Sequence, residues 1–167
     1  MRADPASLRP RPARDGVDLW RTPPDLIAAL TGKVLPPLRL RWYGPIWEPG
    51  AGDGDIADPL AKQGYSVIAS DVVPRNDGIR RHDYVHEQPP PGTHNAIAVT
   101  NPPYRDPLLD QFIARSIALI DRLHLHAAVL LLRWDHFMAG RRARAFDRAW
   151  RIWVCCWRPR WIVDSTG

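Results

Sequence analysis

The chain has few of the features that mark a membrane, secreted or zinc-binding protein. Its apolar runs, such as 127–132, are far shorter than the roughly 18–20 residues that a membrane span needs. The basic N-terminus is not followed by an apolar segment, which disfavours a secretory signal. The only cysteines, Cys155 and Cys156, are adjacent and so have neither zinc-ligand nor redox-pair spacing. We expect a cytoplasmic protein with no metal and no membrane partner.

Lysine is also scarce, because all but two of the 23 basic residues are arginine, and the formal net charge is +5. The guanidinium fork of arginine pairs well with phosphate oxygens, which suits a nucleic-acid partner. A GC-rich genome produces the same bias. The charge therefore favours nucleic acid only weakly.

The chain has the length of one domain. Prolines and arginines crowd residues 1–17, which predicts a flexible basic arm, and we expect the domain over 18–167. Thr22 is predicted to cap a first helix, with Pro23 at its first position and Gly32 at its end.

Strands and helices then alternate along the chain. The expected strands are 46–47, 66–70, 96–100, 127–132 and 152–157, with a weaker one ending near Asp83. The expected helices are 55–63, 107–123 and 139–150. This order predicts an α/β protein with a mostly parallel sheet and helices on both faces. The strand over 127–132 is apolar throughout, so we expect it to be covered on both sides.

A glycine-rich loop joins the first strand to the next helix in Glu48-Pro49-Gly50-Ala51-Gly52-Asp53-Gly54. Glycines let a ligand approach the backbone, and the helix that follows presents unpaired N–H groups. The spacing is not that of a dinucleotide fingerprint, and no P-loop lysine follows. Asp71 ends the next strand, where a carboxylate can accept hydrogen bonds from both hydroxyls of a ribose.

A second polar segment, Asn101-Pro102-Pro103-Tyr104, directly follows a predicted strand, at the sheet edge where parallel sheets bind ligands. A conjugated amino group is a poor nucleophile because its lone pair is delocalised. The Asn101 side-chain oxygen and the Pro102 carbonyl can accept its hydrogens and so release that lone pair. The prolines fix the backbone and offer no competing N–H, and Tyr104 can stack on a planar substrate.

These segments resemble known enzymes. The glycine loop resembles the first motif of class I S-adenosylmethionine-dependent methyltransferases, and Asn101–Tyr104 resembles the fourth motif of their adenine-N6 and glutamine-N5 members. The resemblance implies a Rossmann-like fold, a direct methyl transfer and, for DNA, a flipped-out adenine. It places Asp71 on the cofactor ribose and Asp83 on the cofactor adenine, although an acid in a polar loop such as Asp83 is commonplace.

The N-terminal segment Asp18-Leu19-Trp20-Arg21-Thr22-Pro23 resembles the D-x-W-x-T-P segment of small phage-type DNA adenine methyltransferases, which closes over the methionine end of the cofactor. Segments 133–142 and 157–161 resemble later parts of that family, which implies a bacterial or phage-encoded protein. Glutamine enzymes usually carry a separate helical N-terminal domain, and only 47 residues precede Glu48. We therefore expect DNA adenine ahead of protein glutamine as the substrate.

The resemblance implies a definite set of site residues. The cofactor site is expected to comprise Trp20, Thr22, Pro23, Glu48, Pro49, Gly50, Gly52, Gly54, Asp71, Asp83 and Asn101. The catalytic residues are expected to be Asn101, Pro102, Pro103 and Tyr104. The residues expected to contact nucleic acid are Tyr104, Arg105, Arg141 and Arg142, although the last two equally fit a solvated helix face.

Two departures from the family pattern leave a third hypothesis open. Pro59 interrupts the helix under the cofactor loop, where an unbroken helix is usual. The chain ends at Gly167, with six predicted strands and without the antiparallel hairpin that closes the family's sheet. We therefore expect the final strand to be missing, which leaves open a partner subunit or a non-catalytic module that binds cofactor or nucleic acid.

Overall fold

The computed structural model describes residues 21–38, 44–137 and 140–147. The predicted basic arm 1–17, Trp20, the strand 152–157 and the segment 157–161 lie outside the described residues. Within the described ranges, no helix is both long and apolar enough to cross a membrane.

Among the described residues, the core of the fold is a five-stranded sheet in which every neighbouring pair of strands is parallel. The strand order is β3-β2-β1-β4-β5. The strands are β1 (Ile46–Glu48), β2 (Val67–Asp71), β3 (Arg80–Arg81), β4 (Ala96–Thr100) and β5 (Leu125–Leu130). The prediction of a parallel, Rossmann-like α/β fold is confirmed. Because the first two strand-to-strand connections run to one side of β1 and the next to the other, the carboxyl end of β1 lies at the point where the order reverses.

In the described ranges, five α-helices of short or medium length accompany the sheet. They are α1 (Pro24–Ala29), α2 (Ala57–Lys62), α3 (Leu108–Asp121), α4 (Trp134–Phe137) and α5 (Ala143–Phe146). Pro59 lies in the first turn of α2, which begins at Ala57 and runs through the proline without the expected interruption, and Gly64 follows that helix with a φ of 85°. Where one basic helix over 139–150 was predicted, the described residues form a 3-10 turn, Gly140–Arg142, followed by α5.

The predicted boundaries of the first helix are wrong at both ends. Pro23 takes the N-cap position and Pro24 the first helical position, because Thr22 makes its hydrogen bonds with distant residues instead. Gly32 does not end the helix, because a π-helical turn, Leu30–Val34, continues directly from α1.

The two faces of the sheet bury different cores. Helices α1 and α2 cover one face, where the buried side chains are Ile27, Leu35, Ile46, Ile56, Leu60, Ile97 and Val99. Helix α3 covers the other, where Trp47, Tyr84 and Phe112 pack together. The indole N–H of Trp47, which is fully buried, donates to Ser70 Oγ at 2.8 Å. Adjacent residues of β1 therefore serve opposite faces, as the pleat of a strand requires.

Strand β5 differs from its prediction in start and in burial. It begins at Leu125, and the register with β4 shifts there so that His126 is an extra residue. The shift lets Leu125 join the core on the α3 side while Ala127 packs on the other side. Only Leu125 is buried, and residues 127–130 are half-buried. The strand therefore packs against a core on both faces, as expected, but residues 127–130 are only half-buried.

Candidate functional site

The glycine loop lies at the carboxyl end of β1 and is fixed to the end of β2. Ala51 N–H donates to the Ser70 carbonyl at 3.0 Å, and Gly52 N–H donates to Asp71 Oδ2 at 2.8 Å. Asp71 Oδ1 accepts from Val73 N–H at 2.9 Å. Asp71 therefore shapes the loop, and any hydrogen bonds to a ribose would add to the bonds it already makes.

At two positions of the loop there is a clear physical reason for glycine. Gly54 has a φ of 90°, and an added Cβ would lie 3.2 Å from the Asp58 carboxylate. A Cβ on Gly50 would lie 3.3 Å from Thr100 Oγ1, at the end of β4. The loop therefore has little room for a side chain at these two positions, where it lies against α2 and the end of β4.

Glu48, the last residue of β1, is a buried carboxyl beneath the loop. It is 2% exposed, and it accepts a hydrogen bond from the Ala57 N–H. Its Oε2 atom has no hydrogen-bond partner among the described residues. Burial raises the pKa of Glu48 well above its ordinary value, and the negative charges of Asp55 and Asp71 raise it further. This oxygen is a buried acceptor that a cationic or N–H-bearing ligand can satisfy.

The segment before α1 is bound to the glycine loop by an ion pair that the sequence interpretation missed. Arg21 Nη2 lies 2.6 Å from Asp55 Oδ1, and its Nε donates to Asp55 Oδ2 at 3.2 Å. The same oxygen accepts from Thr22 N–H at 3.0 Å. The signal in the sequence was an arginine next to Thr-Pro and an aspartate directly after the third glycine, but no local pattern pairs residues 34 positions apart.

Thr22 also contacts the second polar segment. Asn101 Nδ2 donates to Thr22 Oγ1 at 3.2 Å, across 79 positions of sequence. Three separate segments, the one before α1, the glycine loop and the one after β4, are thus joined at one edge of the sheet. The two prolines that follow Asn101 are buried or half-buried.

Tyr104 is turned inward. It is 5% exposed, and its hydroxyl donates to Asn101 Oδ1 at 2.6 Å and to the Leu131 carbonyl at 3.1 Å. Its ring stacks on His136, with centroids 5.1 Å apart and planes inclined by 13°. The sequence interpretation assigned Tyr104 to a planar substrate and gave His136 no role.

Asp83 organises the turn that follows β3. Its Oδ1 accepts from Val85 N–H at 2.9 Å and His86 N–H at 3.2 Å, and its Oδ2 lies 2.9 Å from His86 Nδ1. Burial raises the pKa of Asp83, but the hydrogen bonds from His86 and Val85 outweigh it and hold the pKa below its ordinary value. The local role explains this acid in full, and its predicted contact with a cofactor adenine stays a prediction.

The arginines that were expected to contact phosphate lie in different environments. Arg142 has a side chain only 3% exposed, which binds Asp110 and lies 2.7 Å from Asp106 Oδ1. Arg142 therefore has internal ion-pair partners in this structure, and its predicted phosphate contact stays a prediction. Arg105 is exposed, and its predicted contact stays open. The side chain of Arg141 lies outside the described residues.

Two exposed valines form an apolar surface that the sequence interpretation also missed. Val72 and Val73 directly follow Asp71 and are 51% and 43% exposed. Valine side chains are usually buried. Because these two are exposed beside the Asp71 carboxylate, they offer a flat ligand an apolar surface next to a hydrogen-bond acceptor. An Asp-Val-Val run at a strand end was the available signal.

A cleft of about 580 Å³ opens beside this edge, between α1 and α2. Its lining includes Arg21, Thr22, Asp53 and Gly54, so it reaches the glycine loop. In the described ranges no group of three or more His, Cys, Asp or Glu side chains could hold a metal ion.

Comparison with known proteins adds no family assignment. No family model matches the chain, and no curated protein matches it. The fold and the site therefore define a class by geometry: a parallel α/β protein whose glycine loop, buried carboxyl and Asn-Pro-Pro-Tyr segment meet at the carboxyl edge of the sheet.

Proposed function

We propose that this protein is an S-adenosylmethionine-dependent methyltransferase that acts on N6 of adenine in DNA. One observation carries the proposal. Thr22 hydrogen-bonds both to Asp55 at the end of the glycine loop and to Asn101 after β4, at 3.0 and 3.2 Å. A cofactor-type loop and an amine-type acceptor segment are thereby held side by side, which a two-substrate transfer requires.

The residues present fit the cofactor. The ammonium group of the cofactor needs a buried acceptor, which Glu48 Oε2 offers. Its ribose hydroxyls need an acceptor at the rim of the site, which Asp71 offers. Its purine needs an apolar surface, such as Val72. When bound, S-adenosylmethionine supplies an electrophilic methyl group on a sulfonium sulfur. A positive charge nearby also favours the ionised form of Glu48, whose pKa burial now raises.

The second polar segment fits an amino-group acceptor. Asn101 Oδ1 and the Pro102 carbonyl accept from the amino hydrogens, which favours a pyramidal nitrogen with an available lone pair. Pro103 holds the backbone between Asn101 and Tyr104 without offering an N–H. The nitrogen would take the methyl group as the bond between that methyl and the sulfonium sulfur breaks, with the neutral thioether form of the cofactor as leaving group, and the surplus proton on nitrogen would pass to water. In this proposal the protein contributes positioning and electrostatics, without a covalent intermediate.

The observed hydrogen bonds of Tyr104 favour a second candidate, a non-catalytic binding module. Its hydroxyl already occupies Asn101 Oδ1, and its ring is stacked on His136. A catalytic protein must rearrange both contacts, whereas a binding module need not. A protein glutamine methyltransferase uses the same acceptor chemistry and is the third outcome of the experiment.

Transfer of a radiolabelled methyl group separates the three candidates. Protein is incubated with labelled cofactor, unmethylated DNA and a mixture of cell proteins, and label is counted in each fraction. We expect label in DNA, and we expect Asn101→Ala to lower the rate by about 100-fold or more. Gln111→Ala, an exposed position on α3, is the matched control and should retain the rate. Label in protein alone supports the glutamine enzyme, and cofactor binding without transfer supports the binding module.

A further inference from the structure

The ring of Tyr104 is closed on every side, although the proposed function requires one face to accept a base. Leu109 and Ile113 pack with it in a buried cluster to which Leu130 and Phe146 also contribute. The tyrosine as a whole is 5% exposed. A base can therefore stack on this ring only after another group has moved away, and the following inference rests on the proposed function to that extent.

His136 is the group that covers the ring. Its imidazole lies nearly parallel to the phenol, at 5.1 Å between centroids, which is the offset arrangement that a planar base adopts on an aromatic ring. His136 is half-buried and lies on α4, a helix of only four residues. We propose that the imidazole of His136 occupies the place of the flipped adenine on Tyr104, and that the adenine binds by displacing it.

The hydroxyl of Tyr104 keeps a hydrogen-bond acceptor during this exchange. One O–H proton is shared between Asn101 Oδ1 at 2.6 Å and the Leu131 carbonyl at 3.1 Å. When Asn101 Oδ1 turns to an amino hydrogen of the substrate, the Leu131 carbonyl still accepts from the hydroxyl. The buried hydroxyl is then not stranded, so release of Asn101 avoids the cost of an unsatisfied polar group.

The backbone at His136 is anchored, so the side chain is the part that moves. Arg142 Nη1 donates to the His136 carbonyl at 3.2 Å, and the same guanidinium is held by Asp106 and Asp110. Burial lowers the pKa of His136 from its ordinary value against an opposing effect of Asp135. The ring is therefore neutral at pH 7, and no charge is buried or released when it swings out.

Chemical accessibility of Tyr104 tests the cover without any assumption about function. The protein is treated with tetranitromethane, and nitrated tyrosines are located by peptide mass spectrometry. We expect Tyr104 to be protected in the native protein and to react severalfold faster in His136→Ala. His136→Phe, which restores a stacked ring, should protect it again. Tyr84, which is 2% exposed, is the internal standard for protection. A Tyr104 that stays protected in His136→Ala would overturn the proposal.

Base binding tests whether the uncovered face is the substrate position. A DNA duplex with 2-aminopurine opposite an abasic site is titrated, and stacking is followed by loss of its fluorescence. We expect the His136→Ala variant to bind this duplex about two- to tenfold more tightly than the native protein, because a competing aromatic partner of Tyr104 has been removed. His136→Phe should weaken it, and His126→Ala, an exposed histidine on β5, should leave it unchanged.

The two arms separate failure of this inference from failure of the proposed function. Unchanged or weaker binding by His136→Ala, with Tyr104 exposed, would overturn the assignment of the base to this face. If accessibility and base binding both respond as expected and no methyl group is transferred, the inference stands and the methyltransferase proposal alone fails.

Discussion

The buried carboxyl of Glu48 makes stability depend on pH in a direction opposite to most acids. Because burial raises its native pKa above the ordinary value of 4.5, the native protein keeps a proton on Glu48 that the unfolded chain releases. The free energy of unfolding therefore falls as pH rises from about 4.5, by at most about 1.4 kcal/mol per pH unit from this one group. The fall ends when pH passes the native pKa, above which both states are ionised.

Glu48→Gln removes this titration and keeps an acceptor for the Ala57 N–H. The variant and the native protein should be about equally stable near pH 4. The variant should become the more stable of the two as pH rises toward 8, by about 1.4 kcal/mol for each unit by which the native pKa is raised. Urea unfolding followed by tryptophan fluorescence at intervals of half a pH unit measures the difference.

Glu87→Gln is the matched control with the opposite sign. The Glu87 side chain is 44% exposed, and the hydrogen bond from Arg81 holds its pKa below the ordinary value, so its small contribution is present above pH 4.5 and is lost as pH falls. Its replacement should slightly destabilise at neutral pH. Parallel stability curves for the native protein and Glu48→Gln would refute the reasoning, because they would mean that Glu48 is ionised in the native state.

Three further changes test other parts of the site. Arg142→Met should lower the free energy of unfolding by about 2 kcal/mol in urea titrations, because it removes a buried guanidinium that binds two partly exposed carboxylates. Arg144→Ala, at an exposed position, is the control and should lower it by under about 0.5 kcal/mol. Gly54→Ala should lower the free energy of unfolding by about 1–3 kcal/mol in thermal unfolding, because φ at this position is 90° and the added Cβ meets Asp58. Gly32→Ala, whose added Cβ meets nothing within 4 Å, is the control and should be neutral or stabilising. Asp55→Asn should weaken S-adenosylmethionine binding about tenfold by calorimetry and change stability by under about 1 kcal/mol, because its pair with Arg21 is partly exposed. Unaltered affinity would contradict the proposal that Asp55, through Arg21 and Thr22, holds the segment before α1 at the cofactor site.

Local patterns were sufficient for the sheet and for the two segments at its edge. Strand β4 was predicted to the residue, and Asn101 follows it as expected, because apolar runs bounded by turns are encoded over a few positions. The extra residue at His126 was not predictable from such a run. A bulge depends on how Leu125 and Ala127 fit two different cores, which is a property of the assembled sheet.

Long-range pairs account for the rest of what the sequence interpretation missed. Arg142 was assigned to phosphate because arginines cluster around it, yet its partners lie 32 and 36 positions earlier, at the start of α3. Thr22 was assigned to a helix cap for its local context, and tertiary hydrogen bonds to Asp55 and Asn101 took precedence. Residue type predicted what these side chains can bind, and only the fold decided which partner each one meets.

The central claim is that Asn101 and its neighbours direct a methyl group to the exocyclic nitrogen of adenine. The most direct measurement is to incubate the protein with a trideuteromethyl cofactor and an unmethylated duplex, digest the DNA to nucleosides and identify the product by mass spectrometry. We expect trideuterated N6-methyldeoxyadenosine with the native protein and a loss of at least about 100-fold with Asn101→Ala. Deuterium on cytosine, or undiminished product from Asn101→Ala, would contradict it.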